Sequence, residues 1–178
     1  MRNSAKITLG GMIAGLSVVC MFLTRLIPTM TYALPAIAGA LLILLTIEAG
    51  TKWALGAFAV TAVLSFVLAV DPQASILYVA FLGYYPILKS WLERIPKRWV
   101  EWVAKFGLFN VAAVASYWVT IWITGVPDDF LTSFGAWGPI ILLVLANVTF
   151  LIYDYALTKV ITLYLYRFHK RVRKLFHV

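Results

Sequence analysis

Six apolar stretches, each near the length of one bilayer crossing, alternate with short connections along the 178 residues of this chain. A helix that crosses a hydrocarbon core needs about 20 mostly apolar residues, within a range of roughly 17–25. The stretches run over Ile7–Ile27, Tyr32–Ile47, Trp53–Val70, Ser75–Trp91, Trp102–Ile123 and Trp137–Leu163. With 63% hydrophobic and 12% charged residues, the chain has too little polar surface to clothe a water-soluble domain. In lipid the backbone must satisfy its own hydrogen bonds, so runs this long read as helices. The alternation over about ten residues that marks a barrel strand is absent. The expected fold is all-α, a polytopic bundle of six transmembrane helices forming one domain over residues 1–178, with a basic tail over 164–178. The second and fourth segments are short and are expected to tilt little or to pack against neighbours, whereas the sixth is long enough to tilt or run on past the bilayer.

Charge sets the orientation. Threading the six segments puts Arg2, Lys6, Lys52, Lys89, Arg94, Lys97, Arg98, Lys105, Lys159, Arg167, Lys170, Arg171, Arg173 and Lys174 in or near one compartment. Only Arg25 falls opposite, where the connections carry Asp71, Asp128 and Asp129. Positive residues favour the cytoplasm, so both termini are expected there, with the chain in the plasma membrane. The net charge of +8 is thus a topology and lipid signal and does not indicate nucleic acid. The tail is expected to rest on anionic headgroups, as a stop-transfer anchor or as a partner site. Arg2 and Lys6 ahead of an apolar run resemble a signal peptide, but more membrane segments follow, so a retained first helix is expected. Cys20 has no second cysteine to pair with, and His169 and His177 lie in the tail without ligands at metal spacing, so no metal site is expected.

The first helix opens with Gly10, Gly11, Ala14 and Gly15. Residues four apart share a helix face, so Gly10/Ala14 and Gly11/Gly15 form two small-residue tracks. Such tracks let another helix approach closely, either within the bundle or from a partner protein. Arg25, Pro28, Thr31, Tyr32 and Pro35 flank a shaped first outer turn. Glu48 and Lys52 are four apart and would support each other if that turn were helical. The segment from Lys89 to Lys105 interleaves Trp91, Trp99 and Trp102 with cations around Pro96. It reads as an interfacial element, although docking of a partner would use the same residues.

Polar side chains at bilayer depth are costly and face protein or a cavity. Asn110 and Asp154 each lie about two turns in from the same side, on the order of 10 Å deep, and are expected to pair if their helices are neighbours. Asn147 shares nearly the same face as Asp154. A structural hydrogen bond, a ligand site or a proton site are the open readings. Towards the outer side lie Tyr78, Tyr84, Tyr85, Tyr117 and Trp118, with Arg25, Thr31 and Tyr32 at the rim. With Asn147, these residues form a candidate pocket for a flat organic ligand, because small-molecule sites are mostly apolar with few convergent polar groups. An aromatic belt at the membrane surface is the plainer alternative. No catalytic residues or cofactor are expected: the chain carries no Gly-x-Ser-x-Gly elbow, no His-Glu-x-x-His motif and no phosphate-cradling loop.

The glycine track of the first helix, the Pro-bearing outer turn, Leu34-Pro-Ala-Ile-Ala-Gly39 and Gly50-Thr-Lys-Trp-Ala-Leu-Gly56 together resemble the S component of an energy-coupling factor transporter. That resemblance spans the whole chain. The family's helix-one signature is Ala-x-x-x-Ala, whose nearest counterparts here are Gly10/Ala14 and Gly11/Gly15. It implies capture of a vitamin-like micronutrient from outside, with a membrane coupling subunit and two cytoplasmic ATPases as partners. The alternatives are a membrane scaffold of the cell envelope, or a small oligomeric channel or secondary transporter.

Overall fold

The computed structural model describes residues 3–68, 71–125 and 137–167. Asp128, Asp129, Arg2 and the tail beyond Arg167 lie outside the described residues. The described chain is all-helical: α1 (Asn3–Leu26), a 3-10 turn (Pro28–Met30), α2 (Ala33–Glu48), α3 (Thr51–Val67), α4 (Pro72–Leu77), a π turn (Tyr78–Leu82), α5 (Tyr85–Leu92), α6 (Arg98–Thr124) and α7 (Gly138–Arg167). Three helices are long and apolar enough to cross a membrane, namely Asn3–Leu26, Arg98–Ile123 and Gly138–Arg167. This is a helical membrane protein. Ala33–Glu48 and Thr51–Val67 are shorter apolar helices.

Helix limits follow local chemistry. Asp71 caps α4 by accepting the Gln73 N–H at 3.0 Å, and Pro72 takes the first helical position, where an amide N–H is not needed. Gly50, at φ 97°, turns the chain between α2 and α3, so the helical turn that would join Glu48 to Lys52 does not form. Gly125 closes α6 in the left-handed conformation at φ 67°, its N–H donating to Ile121 O at 2.8 Å.

The fourth apolar segment is not one helix, contrary to the expectation for Ser75–Trp91. Pro86 has no N–H to give the carbonyl four residues back, which belongs to Leu82. The chain widens into the π turn, where the Gly83 N–H donates to Tyr78 O at 2.8 Å, and then restarts as α5. Tyr153 of α7 donates its hydroxyl to the released Leu82 carbonyl at 3.2 Å. A Cβ on Gly39 would stand 2.0 Å from that same oxygen. Glycine at 39 therefore lets α2 lie directly on the break. Proline, glycine and tyrosine from three helices make one joint.

Three apolar clusters hold the bundle, the smallest being Met21, Ala38, Ala74 and Tyr78, which ties α1 and α2 to α4 and the start of the π turn. Ile13, Ala14, Leu42, Leu45, Ala54 and Ala57 lock α1, α2 and α3 together. Ile43, Phe81, Tyr85, Ala112, Phe150 and Leu157 join α2, the break, α6 and α7. Phe81 stacks on Tyr85 at 4.5 Å between ring centres, and Phe109 stacks on Phe150 at 4.7 Å.

Candidate functional site

Five charged side chains meet where α5, α6 and α7 converge. Lys89, with a fully buried side chain, reaches Asp154 Oδ1 at 2.5 Å and Glu93 Oε1 at 2.9 Å. Lys105, 2% exposed, lies 2.7 Å from Glu101, 3.6 Å from Asp154 Oδ2 and 3.7 Å from Glu93. Tyr85 donates its hydroxyl to Asp154 Oδ1 at 2.5 Å. Lys105 Nζ also lies over the Trp102 ring at 5.2 Å. A lone buried ammonium is expensive; two ammoniums among three carboxylates and a phenol compensate one another. The arrangement clamps three helices at one level of the bundle.

The sequence reading places Lys89 and Lys105 in or near segments facing one compartment but does not anticipate that both side chains are buried. Helical spacing carried the missed signal: Lys89/Glu93 and Glu101/Lys105 are both four apart, and each pair shares a face. The expected Asn110–Asp154 pair is corrected. Asn110 bonds Asn147, each amide N–H donating to the other's Oδ1 at 3.0 Å. Their second N–H groups go to Phe106 O at 2.8 Å and Leu143 O at 2.7 Å. A carboxylate prefers an ammonium to an amide, and Lys89 is within reach; the amides are then left to each other. Asn147 thus divides its amide group between Asn110 of α6 and the Leu143 carbonyl of its own helix.

A second polar group lies nearer the end of the bundle that carries the α1–α2 and α3–α4 connections. Ser17, Thr24, Thr61, Ser65, Ser75 and Tyr78 are all buried there between α1, α3 and α4. Ser17 donates to Ala38 O at 3.2 Å, Thr24 to Met21 O at 2.7 Å and Ser65 to Ala62 O at 2.8 Å. Thr61 Oγ1, Ser75 Oγ and Tyr78 Oη have no hydrogen-bond partner among the described residues. Thr61 and Tyr78 are neighbours, yet their hydroxyls do not close a bond with each other. The Phe58 ring flanks them, 5.6 Å from Tyr78 and 6.1 Å from Tyr84 between centres. These hydroxyls can meet an uncharged hydrogen-bonding group. Thr61 and Ser75 carried no sequence signal, because isolated hydroxyls are common in apolar helices.

The residues expected to line a pocket are only partly brought together. Tyr78 is buried with Met21, Ala38 and Ala74, and Tyr84 is half-buried beside Phe58. Tyr85 belongs to the charged cluster. Tyr117 is half-buried, and Trp118, its ring 6.1 Å away, is exposed. Arg25 is exposed at the end of α1. Thr31 donates to Pro28 O at 2.8 Å, and Tyr32 accepts from Gln73 Nε2 at 3.0 Å, which ties the first turn to α4. A groove of about 170 Å³ between α3, α4 and α6 is lined by Phe66, Ile76, Val79, Ala80, Ala115, Ser116 and Val119, with no tyrosine among them. Of the two small-residue tracks, Ala14 packs inward, while Gly11 and Gly15 are exposed with open space where a Cβ would stand.

No protein-family model matches the chain, and neither a curated protein nor a solved structure shows significant similarity to it.

Proposed function

We propose that the chain is the membrane-embedded, solute-binding subunit of an ATP-driven micronutrient importer of the energy-coupling factor kind. In this reading the bundle crosses the plasma membrane six times, with α4, the π turn and α5 as one broken crossing. The cation-rich connections and both termini face the cytoplasm. The observation that carries the reading is the set of unpartnered hydroxyls on Thr61, Ser75 and Tyr78. Each buried polar group without a partner costs about 1–3 kcal/mol. Proteins retain such groups where water or a ligand supplies the missing bond. The set lies in the half of the bundle that faces outward in this orientation, where an importer first meets its solute. The outward-facing Gly11/Gly15 track supports a coupling subunit docked on α1, with ATP hydrolysed by separate cytoplasmic subunits. A channel or secondary carrier is less well supported, because the amides it would place along a wet path bond each other.

The test removes hydroxyls that form no well-aligned hydrogen bond among the described residues. Tyr78→Phe and Thr61→Val are expected to leave the unfolding temperature unchanged or raised. Retention of the co-purifying small molecule, read by native mass spectrometry of gently extracted protein, should fall about tenfold, one hydrogen bond's worth. Undiminished retention in both variants removes the hydroxyl set as a solute site.

A further inference from the structure

The connection between α5 and α6 has sorted its charges. The two acidic residues in and beside it are held by buried lysines: Glu93, itself 40% exposed, by Lys89 at 2.9 Å and Glu101 by Lys105 at 2.7 Å. Arg94, Lys97 and Arg98 are exposed, and none of them makes an ion pair among the described residues. Beside them Trp91 and Trp99 stand 58% and 85% exposed. Among the described residues, the carboxylates of this connection are thus engaged by buried lysines and not by its exposed cations. What remains is three cations within five residues, bracketed by indole rings, at the foot of the long apolar helix α6.

We propose that this connection is a binding surface for anionic phospholipid headgroups. Indole rings settle at the depth where headgroups meet acyl chains. Arginine and lysine at that depth are drawn to anionic lipid, by about fivefold in affinity for each residue. The exposed indoles favour lipid over a free phosphate, since a soluble anion has no use for apolar surface beside its cations. The same point disfavours an acidic soluble protein, because α6 continues from this surface directly into an apolar span. This inference does not depend on the solute-binding reading.

The test uses the full chain in mild detergent, in a background where Lys170, Arg171, Arg173 and Lys174 are changed to Gln so that tail charge does not mask the loop. Phosphatidylglycerol and phosphatidylcholine are titrated in turn, and bound lipids are counted by native mass spectrometry. Preferential binding of phosphatidylglycerol is expected, with affinity falling about a hundredfold in Arg94→Gln/Lys97→Gln/Arg98→Gln. If that triple variant does not fold, each single change is expected to lower affinity about fivefold. Trp99→Ser should weaken phosphatidylglycerol binding while leaving its salt dependence in place. Unchanged phosphatidylglycerol binding in the cation variants overturns the proposal. So does displacement of the lipid by millimolar inorganic phosphate, which would make the surface a site for soluble anions.

Discussion

Lys89 shows how much one side chain can depend on a distant residue. It stands near the end of α5, where a lysine ordinarily extends to the headgroups, yet it turns inward to an aspartate 65 positions away. Removing it strands Asp154 without its closest cation, and Lys89→Met is expected to cost about 3–5 kcal/mol. Replacing both members by apolar residues removes the uncompensated charge along with the bond. Lys89→Met/Asp154→Leu is therefore expected to recover at least half of that loss, seen as a thermal unfolding midpoint in detergent between the single variant and the wild type. A double variant no better than the sum of its singles would show that the pair does not act as a unit. The paired amides of Asn110 and Asn147 belong to the same scale: their depth was legible in the sequence, but their choice of each other was not. Two amides and a carboxylate on neighbouring helices can pair in several ways. The position of a lysine on a third helix decided among them.

At the scale of elements, the joint at Pro86 matters most. A proline after an aromatic-rich run implies a lost hydrogen bond, but not what replaces it. Here Tyr153 fills the gap, and Gly39 supplies the room for α2 to lie against it. Gly39→Ala would force its Cβ into the Leu82 carbonyl, a backbone atom that cannot swing aside. A loss of about 1–3 kcal/mol is expected, measured by thermal unfolding, as for other overpacked contacts. A neutral result would mean that α2 and the break can separate without cost. The helix limits themselves were largely readable. Asp71-Pro72 and Gly125 act as a start and a stop for reasons local to each turn, whereas the π turn needed three helices.

For the whole molecule, the two faces of α1 divide its roles. Ala14 and Ile13 hold α2 and α3, while Gly11 and Gly15 look outward. Gly11→Leu meets open space in the isolated chain, so folded yield and unfolding temperature are expected to stay within about 0.5 kcal/mol equivalents of wild type. Under the proposed importer reading, co-purification of the membrane coupling subunit and ATPases should fail, because the added side chain prevents close helix approach. Intact assembly in that variant would argue against the glycine face as the docking surface.

Composition and apolar run length by themselves determined that this chain is helical and lives in a membrane, because lipid leaves a backbone few other ways to satisfy its hydrogen bonds. They also marked α1 as a helix built for close approach. Tertiary structure alone decided which lysines are interior, which amides pair, which hydroxyls lack partners and which glycine track faces out. Each of those outcomes turns on the rotation of one helix against another. That rotation is set by residues dozens of positions away, so no local pattern encodes it.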